Sequence, residues 1–348
     1  MKPLKLIAIT FLSLFTSMAQ TQQTTDAFEG PTPIKLRNPK YPTSALQSAT
    51  EGWVSINFMI NTDGQVFEPT IIGSSGPDIF HRAALRTLNS STWQPASING
   101  RSVEGSSSYI FTFSMDGGER VGRSFRRRHD NLVELINSGA QEEAMELLNT
   151  LNERETRNNY ESALLYLDNY TYLKKFNGSD EDQIFYIKRA LMFERYDKSY
   201  IGNGGFLPED IKTFLRKNLF ILEVNARRYE EALSTYYKLR ESGTNTESFD
   251  DTVIEIHKLK TDSSSYVVNG KTDSYGQWRF SLFKPNLYID NLGSTINEFR
   301  LLCRNKFQFF AFQEGTQYQI PESWGDCHMT VLGDADVDFE IIQFGNNE

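Results

Sequence analysis

Cysteine and histidine are scarce in this sequence, with two cysteines and four histidines among 348 residues. A closed zinc site needs four nitrogen or sulfur ligands, and neither Cys303 nor Cys327 has a histidine at ligand spacing, so no metal centre is expected. His81, His129, His257 and His328 stand apart from one another, outside any recognisable nucleophile or metal motif. Gly202-Asn203-Gly204-Gly205 lacks the lysine and helix start of a phosphate loop and reads as an interhelical turn. Asp334, Asp336 and Asp338 alternate as a calcium loop begins, but Phe339 stands where that loop needs glycine. The three aspartates are therefore read as the outward side of a strand. With these signatures missing, neither an enzyme nor a cofactor is expected. Positive charge is also in deficit: 36 Lys and Arg against 45 Asp and Glu leave a net charge of -9, which argues against nucleic acid or an anionic membrane as main partner. Long apolar runs are absent too. The best candidate, Leu4 to Ala19, falls short of the roughly 20 residues that span a bilayer.

That stretch has another reading. Lys2 and Lys5 form a positive end, Leu6 to Phe15 an apolar segment, and Ser17-Met18-Ala19 a small-x-small cleavage site, so residues 1–19 are expected to be a signal peptide with maturation near Gln20. The mature chain is then periplasmic; the alternative is an uncleaved anchor in the inner membrane, facing the periplasm. In an exported chain the even cysteine count points to a Cys303–Cys327 disulfide.

A hydrophobic fraction of 39% and a charged fraction of 23% suit a packed globular protein, and the length suits two or three domains. Three are expected. Residues 20–33 are polar and proline-bearing, a flexible lead-in. From Gly52 the pattern alternates: Val54, Ile56, Phe58 and Ile60 make one strongly apolar face, opposite Trp53, Ser55, Asn57 and Met59. Thr62-Asp63-Gly64 turns the chain into a returning strand, Val66 to Ile72. Asp78 is expected to cap a helix whose Ile79, Phe80, Ala83, Ala84, Leu85 and Leu88 cover the apolar face, and a third strand, Tyr109 to Phe113, follows the Asn99-Gly100 turn.

Residues 117–128 read as a linker whose Arg126-Arg127-Arg128 is a solvated basic run. Helical periodicity then dominates residues 129–262, over Leu132 to Leu151, Tyr160 to Phe176, Asp182 to Tyr196, Pro208 to Ala226 and Tyr229 to Arg240. Ala140-Gln141-Glu142-Glu143-Ala144 and Arg228-Tyr229-Glu230-Glu231-Ala232 echo each other and resemble tetratricopeptide-type hairpins, although no clean period of about 34 residues joins them. Over 263–348, aromatic and β-branched runs alternate with Gly, Asn and Asp, as in an antiparallel sandwich. Its expected strands are Tyr266 to Val268, Gln277 to Phe283, Glu298 to Leu302, Phe307 to Phe312, Thr330 to Leu332 and Val337 to Phe344. Its aromatics Trp278, Trp324, Tyr275 and Tyr318 serve either as core or as a stacking surface for sugars.

One region carries a family resemblance. Tyr41-Pro42 with Ala45, Gly52-Trp53-Val54, Asp63-Gly64-Gln65-Val66, Ser74-Ser75-Gly76, Ala83-Ala84-Leu85, Trp93-Gln94-Pro95-Ala96 and Asn99-Gly100 follow in the order seen in the TonB C-terminal domain. Residues 34–116 thus resemble that family. The resemblance implies a three-stranded antiparallel sheet with helices, whose edge captures the periplasmic N-terminal segment of a TonB-dependent outer-membrane transporter by β-augmentation. It places the acceptor at Ser108, Tyr109, Ile110, Phe111, Thr112 and Phe113, with Pro39, Tyr41 and Pro42 as neighbouring contacts. Energisers of this family carry a membrane-spanning helix and a long proline-rich spacer, which the reading of residues 1–33 does not supply; an adaptor is expected rather than a direct transmitter of force. The whole chain is accordingly expected to be a multidomain α+β protein: TonB-like sheet, helical repeat-like array, then sandwich. Its helices would hold another protein. The rival expectation is an envelope structural protein that binds peptidoglycan or another glycan.

Overall fold

A computed structural model describes residues 28–115, 121–154, 158–192, 207–290 and 295–346. The expected signal peptide and the Gly202-Asn203-Gly204-Gly205 turn lie outside these residues. No helix among them is long and apolar enough to cross a membrane.

The first part contains β1 (Phe28–Glu29), β2 (Thr32–Lys35), α1 (Thr43–Gln47), β3 (Gly52–Ile60), β4 (Val66–Ser75), α2 (Ile79–Asn89), β5 (Thr92–Gln94), β6 (Ala96–Ile98), β7 (Arg101–Val103) and β8 (Gly105–Phe113). Strand β3 is central in the antiparallel sheet β4-β3-β8. Its Val54, Ile56, Phe58 and Ile60 pack with Phe80, Ala84 and Leu88 of α2, Trp93, and Phe111 and Phe113 of β8 in one core. Gly64, at φ +78°, closes the β3–β4 turn, and a Cβ there would stand 2.1 Å from the carbonyl oxygen of Trp93.

Several expectations need correction. The lead-in is not free of structure: β1 pairs with β6, and β2 with β5. Asp78 makes no side-chain cap; its backbone is already helical (φ −55°, ψ −18°), so its carboxylate does not reach back to the first N–H groups. The Asn99-Gly100 turn, with φ 50° and 77°, closes the small hairpin β6–β7 rather than leading straight into β8. The sheet also buries both faces. Trp53, Ser55 and Met59 on the supposed outer side are 2%, 1% and 0% exposed.

What covers that second face is helical. The array comprises α3 (Arg123–Ser138), α4 (Gln141–Asn152), α5 (Asn159–Lys175), α6 (Asp180–Leu191), α7 (Glu209–Asn225), α8 (Tyr229–Glu241) and α9 (Glu247–Thr261). Trp53 belongs to one cluster with Ala163 and Tyr170 of α5, Ile184 and Ile187 of α6, and Leu215 and Leu219 of α7. The segment read as linker is helical from Arg123, and Phe125 anchors it at 2% exposure. Leu132 to Leu151 is two helices because Gly139, at φ +82°, ends α3 in the left-handed conformation. The echoed motif opens α4 and α8, where Ala144 and Ala232 are fully buried and two glutamates sit favourably in each first turn.

Beyond α9 come β9 (Ser265–Lys271), β10 (Gln277–Ser281), β11 (Asn286–Asp290), β12 (Ile296–Cys303), β13 (Phe307–Ala311), β14 (Tyr318–Gln319), β15 (Cys327–Gly333) and β16 (Asp338–Phe344). They form two antiparallel sheets, β10-β15-β12-β13 and β14-β11-β16-β9, facing each other across Trp278, Phe280, Phe299, Met329, Ile289 and Phe339. The same core extends to Phe220, Leu233, Tyr236 and Val253 of α7 to α9. Cys303 and Cys327 stand opposite each other on β12 and β15 and are joined in a disulfide. Of the three alternating aspartates only Asp338 is in a strand; Asp336, at φ +58°, belongs to the β15–β16 turn.

Candidate functional site

A three-stranded sheet has two edges, and this one treats them differently. Pro69, which cannot donate a ladder bond, sits in β4 where the register with β3 shifts between Asn57 and Met59, next to Glu68 at φ +47°. Two arginines then occupy carbonyls of β4: Arg279 Nη2 donates to Ile71 O at 3.1 Å and Arg189 Nη1 to Ser74 O at 2.6 Å. Arg189 also lies over the ring of Trp53, 5.9 Å from its centroid. The β4 edge is thereby blunted along its second half.

Strand β8 pairs with β3 without a register shift from Gly105 to Phe113. Its Ser106 N–H leaves the sheet and donates to Arg304 O at 2.8 Å, in the turn between β12 and β13. Backbone groups of an antiparallel strand alternate in direction, so the N–H and C=O of Ser108, Ile110 and Thr112 also point away from β3. Those of Tyr109, Phe111 and Phe113 point toward Ile56, Val54 and Gly52. A row of three outward residues therefore follows one that the sandwich already holds.

Side chains sort the expected site further. Phe111 and Phe113 are 1% exposed and belong to the α2 core, so their rings are not on the surface. Ile110 packs against the helical cluster. Tyr41 meets Phe113 edge-on at 5.8 Å and Phe80 at 5.9 Å, and its hydroxyl donates to Thr50 O at 2.7 Å. Burial, reinforced by the charge of Glu51, pushes the Tyr41 phenol well above its usual range. Pro42 occupies the position before α1, and Pro39 is half-buried upstream. The Tyr41 segment thus braces the end of β8 from the core side. Glu51 fixes the same end, accepting from Met115 N at 2.8 Å and Asn159 N at 2.9 Å.

Residues 37–115 match the family model of the Gram-negative bacterial TonB protein C-terminal. This segment is a TonB C-terminal domain. Among solved structures the chain is similar to the solution NMR structure of the Pseudomonas aeruginosa TonB C-terminal domain, at 20% identity, covering 28% of this chain and 95% of that chain with a TM-score of 0.23. No curated protein matches the chain. In this TonB C-terminal domain both edges also take contacts from residues outside the matched segment. Arg189, Arg279 and Arg304 act over sequence separations of 115, 208 and 198 residues. Nothing local in the sequence marks them, since an arginine beside apolar residues reads as a solvated charge.

The other polar constellations join elements together. Lys188 of α6 sits between Glu223 Oε1 at 3.0 Å and Glu231, and Arg228 binds Glu181 at 2.7 Å and Glu231 at 3.1 Å. Burial works against the charge of Glu231, but Lys188 and Arg228 outweigh it and hold the carboxyl down at about 2; burial holds Glu223 up. His129 Nδ1 and Asp168 Oδ2 lie 2.9 Å apart between α3 and α5, and this bond raises the imidazole above its usual range. Among the described residues no group of three or more His, Cys, Asp or Glu is placed to hold a metal. The aromatics weighed as a sugar surface do not share one face: Trp278 is 7% exposed, Tyr318 packs on Phe299 and Phe310, and Tyr275 is 84% exposed on a turn.

Proposed function

We propose that this protein is a periplasmic, non-enzymatic adaptor whose TonB C-terminal domain holds the N-terminal segments of TonB-dependent outer-membrane transporters as a strand added to β8. The observation that carries this reading is the outward backbone row of Ser108, Ile110 and Thr112, on the edge that no arginine among the described residues plugs. An incoming strand gains backbone hydrogen bonds there, and short extended peptides bind sheet edges by that chemistry. The Ser106–Arg304 bond sets one end of the acceptor, and the Tyr41–Phe113 contact braces the other. We take the chain as three units, 34–116, 129–262 and 263–348, exported by a cleaved signal peptide over 1–19. The helical unit is the seat of a second protein, with Phe214 and Ile221 of α7 exposed at 45% and 48%.

The experiment is a comparison of two captures by the mature chain: transporters from solubilised outer membrane, and purified cell-wall sacculi by sedimentation. Transporter recovery, competed by a peptide of the transporter's periplasmic N-terminus, is expected. Binding to sacculi without transporter recovery would replace this reading with that of a peptidoglycan-binding envelope protein.

A further inference from the structure

Sheet edges attract other strands unless something blunts them, and in this fold arginine is the recurrent blunting device. Besides β4, the β10 edge has Arg279 O taken by Arg228 Nη1 at 3.1 Å, and the β9 edge has Val267 O taken by Arg227 Nη1 at 3.0 Å. Strand β14 is two residues long. Among the described residues of the sandwich, strand β13 is the edge with no such contact from another element. Its paired direction is fixed at both ends, by Cys303 N donating to Lys306 O at 2.8 Å and Phe312 N donating to Asn297 O at 3.0 Å. With an unbroken register to β12, the even residues face β12, and the backbone groups of Phe307, Phe309 and Ala311 point outward. The contact on this edge comes from within the strand, where Gln308 Nε2 donates to Phe309 O at 3.0 Å.

The composition of β13 and the two residues after it is as unusual as its edge. Phe307-Gln308-Phe309-Phe310-Ala311-Phe312-Gln313 carries no charge, proline or glycine, in a chain of net charge -9. Phe310 and Phe312 turn inward to the sandwich core, while Phe309 is 61% exposed on the other face. A strand of this kind is the template for β-pairing that natural edges avoid, unless the pairing is used.

We infer that β13 is a self-association strand, through which two copies of this chain pair antiparallel about a twofold axis. The register that matches every outward residue centres on Phe309: Phe309 faces its own copy, and Phe307 faces Ala311 in both directions. No like charges meet along the strand. The flanks also favour this occupant and this direction. Lys306 precedes the strand and Glu314 follows it, so antiparallel pairing sets the basic Arg304–Lys306 turn of each copy beside Glu314 of the other, whereas parallel pairing would set like beside like. The outcome is one sheet continuous across two sandwiches.

The test uses the full mature chain. Sedimentation velocity over a concentration series is expected to show a monomer–dimer equilibrium, and Phe309→Lys is expected to abolish the dimer. The ring it removes is exposed, so the variant should keep the parent's circular dichroism. Because Cys303 and Cys327 are bonded to each other and no free cysteine exists, a new cysteine is the lone thiol. Mild oxidation should then link Phe309→Cys into a covalent dimer, since the register places position 309 against itself, and should leave Ala311→Cys largely unlinked. A parent that stays monomeric at all concentrations would overturn the inference, as would a Phe309→Lys dimer or equal linking at 309 and 311. A monomer that instead retains a foreign extended peptide on β13 would overturn it too.

Discussion

Strand addition at β8 makes a sharp demand on one backbone atom, the Thr112 N–H. The Ser106 N–H reaches Arg304 O outside the sheet, and three alternations later Thr112 points the same way. Replacing Thr112 with proline deletes that donor and removes no β3–β8 hydrogen bond, because Thr112, although paired opposite Trp53, points its N–H away from β3. A hydrogen bond of this kind contributes about 1 kcal/mol, and the proline ring adds bulk at the approach of the incoming strand. The loss should total about 1–2 kcal/mol, or roughly a 5- to 30-fold weaker Kd. Fluorescence anisotropy with a labelled peptide from a transporter's periplasmic N-terminus measures this directly. Thr112→Val keeps the N–H and should bind as the parent does. Tyr109→Pro is the opposite control: its N–H points at Ile56, so it should lower stability in urea unfolding before it says anything about binding. A Thr112→Pro protein with parental circular dichroism and parental affinity would refute strand addition at this edge.

Three other outcomes are expected. Reducing the Cys303–Cys327 bond, whose sequence separation is 24, releases loop-closure entropy of about 3 kcal/mol and should lower the thermal midpoint; an unchanged midpoint under reductant would contradict it. Trp53→Ala should cost about 3–5 kcal/mol in denaturant unfolding, because the ring is 2% exposed between the sheet and α5 to α7; a loss below about 1 kcal/mol would show that helices and sheet do not share that core. Glu231, held down at about 2 against 4.5, contributes stability that is fully present above pH 4.5 and is lost as pH falls toward 2. Urea midpoints should therefore fall over that window more steeply in the parent than in Glu231→Gln, and parallel curves would remove the Lys188–Glu231–Arg228 network as the cause.

Legibility in the sequence followed the range of the interactions concerned. The alternation of Val54, Ile56, Phe58 and Ile60, and the spacing of Phe80, Ala84 and Leu88, are local patterns, and the folded core unites those residues. Helix α9 was harder to see, since Val253 and Ile256 are its buried residues and leave a narrow apolar stripe. Gly139 split an apparently continuous helix. Its left-handed backbone is a choice glycine allows but does not announce, because glycine is also tolerated within helices.

From the sequence alone come the TonB resemblance of residues 34–116, the Thr62-Asp63-Gly64 turn, the mixed α+β class and a disulfide with two candidate sulfurs and therefore one pairing. All of these rest on residue type and short spacing, which a chain carries with it whether folded or not. Tertiary structure alone decided that the second face of the sheet lies under helices, that Arg189 and Arg279 close β4, that Arg304 holds the start of β8, and that β13 is left without a plug from another element among the described residues. The arginine contacts depend on a donor meeting an acceptor brought from a distant part of the chain, and the covered face on apolar side chains brought together in the same way. A side chain's neighbours in sequence say what it is able to bond, and only the packing of distant elements says which carbonyl it reaches.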